Sequence, residues 1–258
     1  GRRKGPPMPE GPPVLQAVDV TRYFGRVTAA DGLNIEVGQG ERVGIVGANG
    51  SGKTTFLNLI TGYLKPERGH IRFMGRETTG LPPREITKLG VARSFQIPQI
   101  YTGLSVRENV MLSLSAQAGK STGFWQPLYR STWMEEALQT LERFGLRTYA
   151  DRPVSELPEG GRKLLDIALS FALKPTLLLM DEPTSGVSIE DKFQLMDTLV
   201  PILEESRITT IFVEHDMEVV HRYGRRVPVF DNGRVIADGE SQHVLADPQV
   251  RRAVLGRE

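Results

Sequence analysis

The chain has 258 residues, 39% of them apolar, with 32 basic against 31 acidic side chains and a net charge of +1. That length and apolar content support one large α/β domain or two modest ones and exclude wholesale disorder, and the near-neutral charge gives no indication of nucleic acid as a partner. The absence of cysteine removes disulfides, thiolate metal sites and cysteine nucleophiles and makes a reducing compartment, the cytosol, the default. The longest apolar neighbourhood, 168–180, is broken by Lys174-Pro175 and falls short of the ~20 residues that a membrane span needs.

Residues 1–13 carry basic side chains with no apolar run behind them, which reads as a flexible or vector-derived tail and not as a signal peptide. Val14 to Val20 alternates in polarity and predicts an exposed-edge strand. The segment Thr21-Arg22-Tyr23-Phe24-Gly25 then connects to a second strand over Leu33 to Val37, which ends at the turn Gly38-Gln39-Gly40. An aromatic ring in that connection either stacks on a base or packs in the core, and the residues alone favour packing. Glu41 to Val46 reads as a short buried strand and Thr54 to Leu64 as an apolar helix.

Between them, Gly47 to Thr54 fills the pattern G-x-x-x-x-G-K-[ST] without a gap. Gly47, Gly50 and Gly52 let backbone N–H groups converge on phosphate oxygens, the helix N-terminus adds a partial positive charge, and Lys53 adds a full one. Thr54 is placed to put its hydroxyl on Mg²⁺. Asn49, Ser51 and Thr55 belong to the same stretch and join the expected nucleotide contacts.

Further on, 64–69 is a turn, His70 to Met74 a strand ending at Gly75, and Val91 to Gln96 a strand closed by Pro98. From about Ser105 to Asp151 the pattern becomes helical, with Val106 to Leu114 and Trp133 to Phe144 flanking a polar, aromatic loop over 119–130 that reads as an insertion. This predicts a smaller helical subdomain over about 100–158. A helix from Gly160 breaks at Lys174-Pro175, and Leu177 to Met180 runs into Asp181-Glu182 as a central strand buried on both faces would. A helix over Lys192 to Leu203 and a strand over Ile208 to Val213 complete βαβ grammar. Val227 to Phe230 and Arg234 to Ala237 flank the hairpin signal Asp231-Asn232-Gly233, and Asp247-Pro248 caps a final helix reaching about Leu255.

A phosphate loop needs a metal-holding acid at the end of an apolar strand, and Asp181 stands there. Glu182 beside it is the candidate to polarise an attacking water. Parallel strands deliver their C-terminal ends to one crevice, so His215 in Glu214-His215-Asp216 is expected near the phosphates.

These motifs, in this order, resemble the ATP-binding subunit of ABC transporters over about Val14 to the C-terminus. The resemblance implies a single P-loop α/β domain over 14–258, its core sheet mostly parallel, with an antiparallel β subdomain and the small helical subdomain. Gly47 to Thr54 is similar to the family's Walker A and Leu177 to Asp181 to its Walker B, Glu182 to the catalytic glutamate, and His215 to the switch histidine. Ser94-Phe95-Gln96 looks like the glutamine loop, with Gln96 reaching metal and water. The family's adenine-stacking aromatic precedes a glycine, which selects Phe24 over Tyr23 and replaces the packing preference. ATP and Mg²⁺ are the implied cofactors.

Two motifs depart from the family pattern. The signature, usually L-S-G-G-Q, reads Leu157-Pro158-Glu159-Gly160-Gly161, and the D-loop, usually S-A-L-D, reads Ser185-Gly186-Val187-Ser188. In the family the signature reaches across a head-to-tail dimer to the partner's γ-phosphate. Pro158 lacks a hydroxyl and an N–H, and the carboxylate of Glu159 would face phosphate charge. A heterodimer with a second, related ATPase is therefore expected.

Among subfamilies, the L-P-x-G signature, the phrase Val213 to Met217 and the ending from Asp247-Pro248 are most similar to importers of branched-chain amino acids or of urea and amides. That implies two permease subunits, a substrate-binding protein acting indirectly, and a place on the cytoplasmic face of the membrane. The permease contact is expected over Ile97 to Leu104 with parts of 119–130. The alternatives are a soluble ABC ATPase working on ribosomes or DNA, and an exporter ATPase.

Overall fold

The computed structural model describes residues 13–94, 100–118 and 131–255. Strands β1 (Leu15–Phe24) and β2 (Val27–Val37) form a hairpin, and β3 (Arg42–Gly47) leads into helix α1 (Lys53–Ile60). β4 (Arg68–Phe73), β5 (Arg76–Glu77), α2 (Pro83–Leu89) and β6 (Val91–Ser94) follow, and then the helical stretch α3 (Val106–Ala118), α4 (Ser131–Arg143) and α5 (Glu159–Ala172). The rest is β7 (Leu177–Asp181), α6 (Ile189–Glu205), β8 (Thr209–Val213), α7 (Met217–Tyr223), β9 (Val229–Asp231), β10 (Arg234–Ala237), α8 (Ser241–Ala246) and α9 (Pro248–Leu255).

The strands form two sheets. One is antiparallel in the order β2-β1-β4-β5, and the other runs β10-β9-β3-β8-β7-β6, parallel except for β10. Alternation along the parallel strands explains the layering, because successive side chains leave opposite faces. Leu178, Met180, Phe212 and Val46 join the core shared with α3, α4, α5 and α6. Leu177, Leu179, Ile211, Val213 and Ile45 join the core shared with α1 and the antiparallel sheet. Burial on both faces is why β7 and β8 are near-continuous apolar runs.

The expected edge strand is corrected. β1 extends to Phe24 and lies between β2 and β4, so the edges are β2 and β5. Period-two polarity reports one buried face, which inner and edge antiparallel strands share, so it does not place a strand in the order. Thr21 to Phe24 of the supposed connection are instead the end of β1, with Tyr23 opposite Thr28 and Phe24 opposite Val27, and Gly25 opens the turn to β2. The helix expected over 54–64 begins at Lys53 and stops at Ile60.

Three short helices had no sequence expectation. α2 buries only Ile86, so it has no apolar period to read. α7 and α8 are also short, and α7 starts on Asp216, whose Oδ1 accepts from the N–H groups of Glu218 at 2.9 Å and Val219 at 3.3 Å. α3 opens on a capping box: Ser105 Oγ accepts from the Glu108 N–H at 3.2 Å, and the Glu108 carboxylate accepts from the Ser105 N–H at 2.8 Å.

Candidate functional site

The loop from β3 into α1 is shaped by what cannot fit there. A Cβ on Gly47 would stand 2.3 Å from the carbonyl oxygen of Phe230, its partner on β9. At Gly52, where φ is +106°, a Cβ would stand 2.4 Å from the Ala29 carbonyl oxygen on β2. The Asn232-Gly233 hairpin braces the loop as well, since the Gly233 N–H donates to the Ser51 carbonyl at 2.9 Å. The sequence marks that hairpin as a turn and gives no sign of this second duty.

Lys53 is buried, and its Nζ donates to the carbonyls of Gly47 at 2.7 Å and Ala48 at 2.9 Å. Burial pulls its proton affinity below that of an ordinary lysine, against the charges of Glu182 and Asp181, which raise it. Those two carboxylates therefore lie within electrostatic reach of the loop. Gly52 is the N-cap of α1 and supplies no side-chain cap, so the first N–H groups of the helix are left to bind a ligand. Asn49, Gly50 and Thr54 are exposed and Thr55 is half-buried.

Asp181 ends β7 in register with Val213 of β8, and Ile45 of β3 pairs with Val213 from the other side. Three strand ends thus meet, as parallel topology requires. Glu182 adopts φ 50° and its N–H donates to the Val213 carbonyl at 2.9 Å. A left-handed glutamate is a costly backbone state of the kind that gathers at functional sites. His215 Nε2 hydrogen-bonds Glu182 Oε1. An ionised carboxylate only accepts, so the imidazole is the donor.

Glu214, a residue to which the sequence assigns no role, is buried, and its Oε1 accepts from Thr184 N at 2.8 Å and Thr184 Oγ1 at 2.7 Å. It ties the turn after Glu182 to the strand end that carries His215. Burial raises its pKa above the usual carboxylate value, with the Thr184 bonds opposing. The folded state therefore holds this proton more tightly than the unfolded chain. Stability falls as pH rises from the ordinary carboxylate value through the raised one, and is flat above it. Glu214→Gln should abolish that fall, so urea midpoints taken from about pH 4 to about pH 8 should shift in the variant's favour as pH rises.

Phe24 is 45% exposed and Tyr23 42%, with the Arg22 guanidinium 5.0 Å from the Phe24 ring centre. Neither ring packs in the core. Gln96 lies outside the described residues, as do 97–99 and 119–130 of the expected permease contact.

In the signature region Leu157 is buried, Pro158 is the N-cap of α5, and Pro158 and Glu159 are exposed. In the D-loop segment the structure shows a helix cap in place of the absent aspartate. Ser188 is the N-cap of α6, its Oγ accepting from the Asp191 N–H at 3.1 Å. Ser188 Oγ also donates to the Asp191 carboxylate at 2.8 Å, a bond that aspartate would replace with like-charge repulsion. Ser188→Asp should therefore melt below wild type although aspartate is a good cap, and Ser188→Ala should lower stability by about 1 kcal/mol in thermal denaturation.

A separate concavity of about 490 Å³, lined by Arg42, Glu204, Arg207 and Arg225 among others, opens at the N-terminal end of β3. It lies away from the strand ends that gather Lys53, Asp181, Glu182 and His215. Among the described residues no group of three or more His, Cys, Asp or Glu side chains is arranged to hold a metal. A hard cation at the phosphate loop would rest on one or two oxygen ligands and on phosphate, which is how magnesium is usually held.

Comparison with known proteins agrees with this geometry. The ABC transporter family model matches residues 30–185. The high-affinity branched-chain amino acid transport ATP-binding protein BraF of Pseudomonas aeruginosa is 31% identical over 252 residues, covering 95% of this chain and 98% of that protein. LivG of Escherichia coli K12, named for the same transport, is 32% identical over 250 residues, with 95% and 98% covered. The ADP conformation of MJ1267, an ATP-binding cassette of an ABC transporter, superposes with a TM-score of 0.84 at 31% identity, covering 96% of this chain and 100% of that one. The dimeric cassette MJ0796 gives a TM-score of 0.74 at 28% identity, with 88% and 98% covered. With its phosphate loop, paired carboxylates and histidine gathered at one edge of the parallel sheet, the chain belongs to the ABC transporter family as an ATP-binding cassette.

Proposed function

We propose that this cassette hydrolyses ATP to power an importer of branched-chain amino acids or of urea and related amides. The observation that carries the ATPase reading is the meeting of Lys53, Asp181, Glu182 and His215 around a loop that excludes Cβ atoms at Gly47 and Gly52. The solute class is supported by the likeness to BraF and LivG along nearly the whole chain.

In this reading Gly47, Asn49, Gly50, Ser51, Gly52, Lys53, Thr54 and Thr55 hold the phosphates, and the exposed Phe24 ring stacks on adenine. Thr54 and Asp181, with Gln96, would hold Mg²⁺, and the ion would supply positive charge to screen the phosphates and stabilise charge on the leaving group. Glu182 takes the proton from the attacking water, and His215 holds its carboxylate in place. The oxygen donors Thr54 and Asp181 suit that ion.

Residues 14–258 act as one cassette in which about 100–158 is a helical insertion. Continuity of one hydrophobic core from Val106, Val110 and Phe144 to Leu178 and Met180 supports this. Tyr101, 61% exposed, is displayed beside that insertion by the buried Asn109, which bonds the Tyr101 backbone at both N–H and carbonyl. This loop, with 97–104 and parts of 119–130, is the proposed permease contact.

The exposed Pro158 and Glu159 would meet a partner's γ-phosphate poorly, so the second ATPase is a different chain. No helix among the described residues is long and apolar enough to cross a membrane, so in this reading the chain docks on two permease subunits at the cytoplasmic face. Affinity recovery from native membranes should bring down a second cassette and membrane-spanning chains, and the reconstituted complex should take up leucine or urea in an ATP-dependent manner. Recovery only with ribosomes or DNA would overturn this reading.

A further inference from the structure

The Asp181 carboxylate has a partner to which no family motif assigns a role. Arg93, on β6, is enclosed, its side chain 4% exposed, and its Nη2 donates to Asp181 Oδ2 at 2.6 Å. Its Nη1 donates to Asn58 Oδ1 at 2.8 Å. Asn58 lies on α1, the helix whose first turn carries Lys53 and Thr54. One planar guanidinium therefore links the end of β7 to the phosphate-loop helix, reaching it from β6, the neighbour of β7 on the side away from β8. The fork is rigid, so it fixes both distance and angle between its two acceptors.

Stability alone does not account for this arrangement. Arg93 Nε is buried without a hydrogen-bond partner, and a buried ion pair with an unsatisfied N–H adds little net stability. Its consequence is geometric. The ammonium of Lys53 is bonded to the Gly47 and Ala48 carbonyls, so Arg93 is the cation that fixes the orientation of the Asp181 carboxylate. Arg93 occupies Oδ2 only, and among the described residues Oδ1 takes no hydrogen bond.

We propose that Arg93 is a positioning residue, which with Asn58 holds Asp181 so that one carboxylate oxygen stays available to the magnesium of the bound nucleotide. The proposal rests on the nucleotide-site reading given above. It predicts that Arg93 governs the magnesium-dependent part of nucleotide affinity and leaves the metal-independent part alone.

The test is ADP binding to the full chain by titration calorimetry, in excess EDTA and in saturating MgCl₂. In Arg93→Lys, which keeps the charge and loses the fork, the EDTA affinity should stay within about twofold of wild type. The gain on adding magnesium should shrink about tenfold, the lower end of the range for partners that orient metal ligands. Asn58→Ala should shrink it about threefold, and the double variant should do no worse than Arg93→Lys, because both act through one bridge. Mn²⁺ titration followed by EPR should show the same order. A full magnesium gain in Arg93→Lys overturns the inference, as does equal loss of ADP affinity with and without metal. Should Arg93→Lys fail to fold by thermal melting, Asn58→Ala decides alone. Wild-type chain that binds no ADP would instead overturn the site reading itself.

Discussion

Glu182→Gln is expected to lower ATP turnover by about 10²- to 10⁴-fold while leaving ATP affinity within a few-fold of wild type. The glutamine keeps the shape of the side chain and an oxygen for the His215 Nε2–H, but it cannot take a proton from water. The backbone state that aims the side chain, φ 50° with its N–H on the Val213 carbonyl, is set by the β7–β8 register and should survive the substitution. Steady-state phosphate release by the transporter complex that contains this cassette, beside ATP binding by equilibrium dialysis, separates the two quantities. A fall of less than about tenfold would remove Glu182 as the base.

The second large effect belongs to the loop. Gly52→Ala places a methyl group 2.4 Å from the Ala29 carbonyl oxygen, at a φ of +106°. Both objections are to backbone, so no rotamer change relieves them, and the loop must move away from β2 and the Gly233 turn. Stability should drop by about 3 kcal/mol, as for overpacking at a rigid site, and ADP affinity by at least about 100-fold, because the N–H groups lose their common focus. Gly50→Ala is the comparison. Its φ is +77° but a Cβ would meet nothing within 4 Å, so it should cost only about 1 kcal/mol, for the left-handed backbone alone. Equal melting temperatures for the two variants would contradict this account of the cradle.

Features that depend on local pattern were legible in the sequence. β7 and β8 declare themselves as apolar runs because both faces are covered, and Gly47 to Thr54 carries its chemistry within eight consecutive positions. What was hidden depends on partners distant in sequence. Arg93 reads as an unremarked strand residue until β6 is laid beside β7, and Glu214 reads as a neighbour of His215 until Thr184 is seen to donate to it twice. The inner position of β1 is of the same kind, because strand order leaves no trace in period-two polarity. Two further features have local sequence signals: the capping box of Ser105 and Glu108, and Asp216, whose place as N-cap announces α7. Tyr23 and Phe24 stand at the hairpin end of β1, opposite Thr28 and Val27, and both are exposed, which agrees with the resemblance in setting core packing aside.

In the proposed function Gly47–Thr54, Asp181, Glu182 and His215 make one side of an ATP site whose other side comes from a different polypeptide. Light scattering of the Glu182→Gln chain in saturating Mg-ATP, alone and mixed with the cassette that co-purifies with it, tests this most directly. The account predicts a monomer alone and an ATP-dependent one-to-one dimer in the mixture. A stable ATP-bound homodimer of this chain would contradict it.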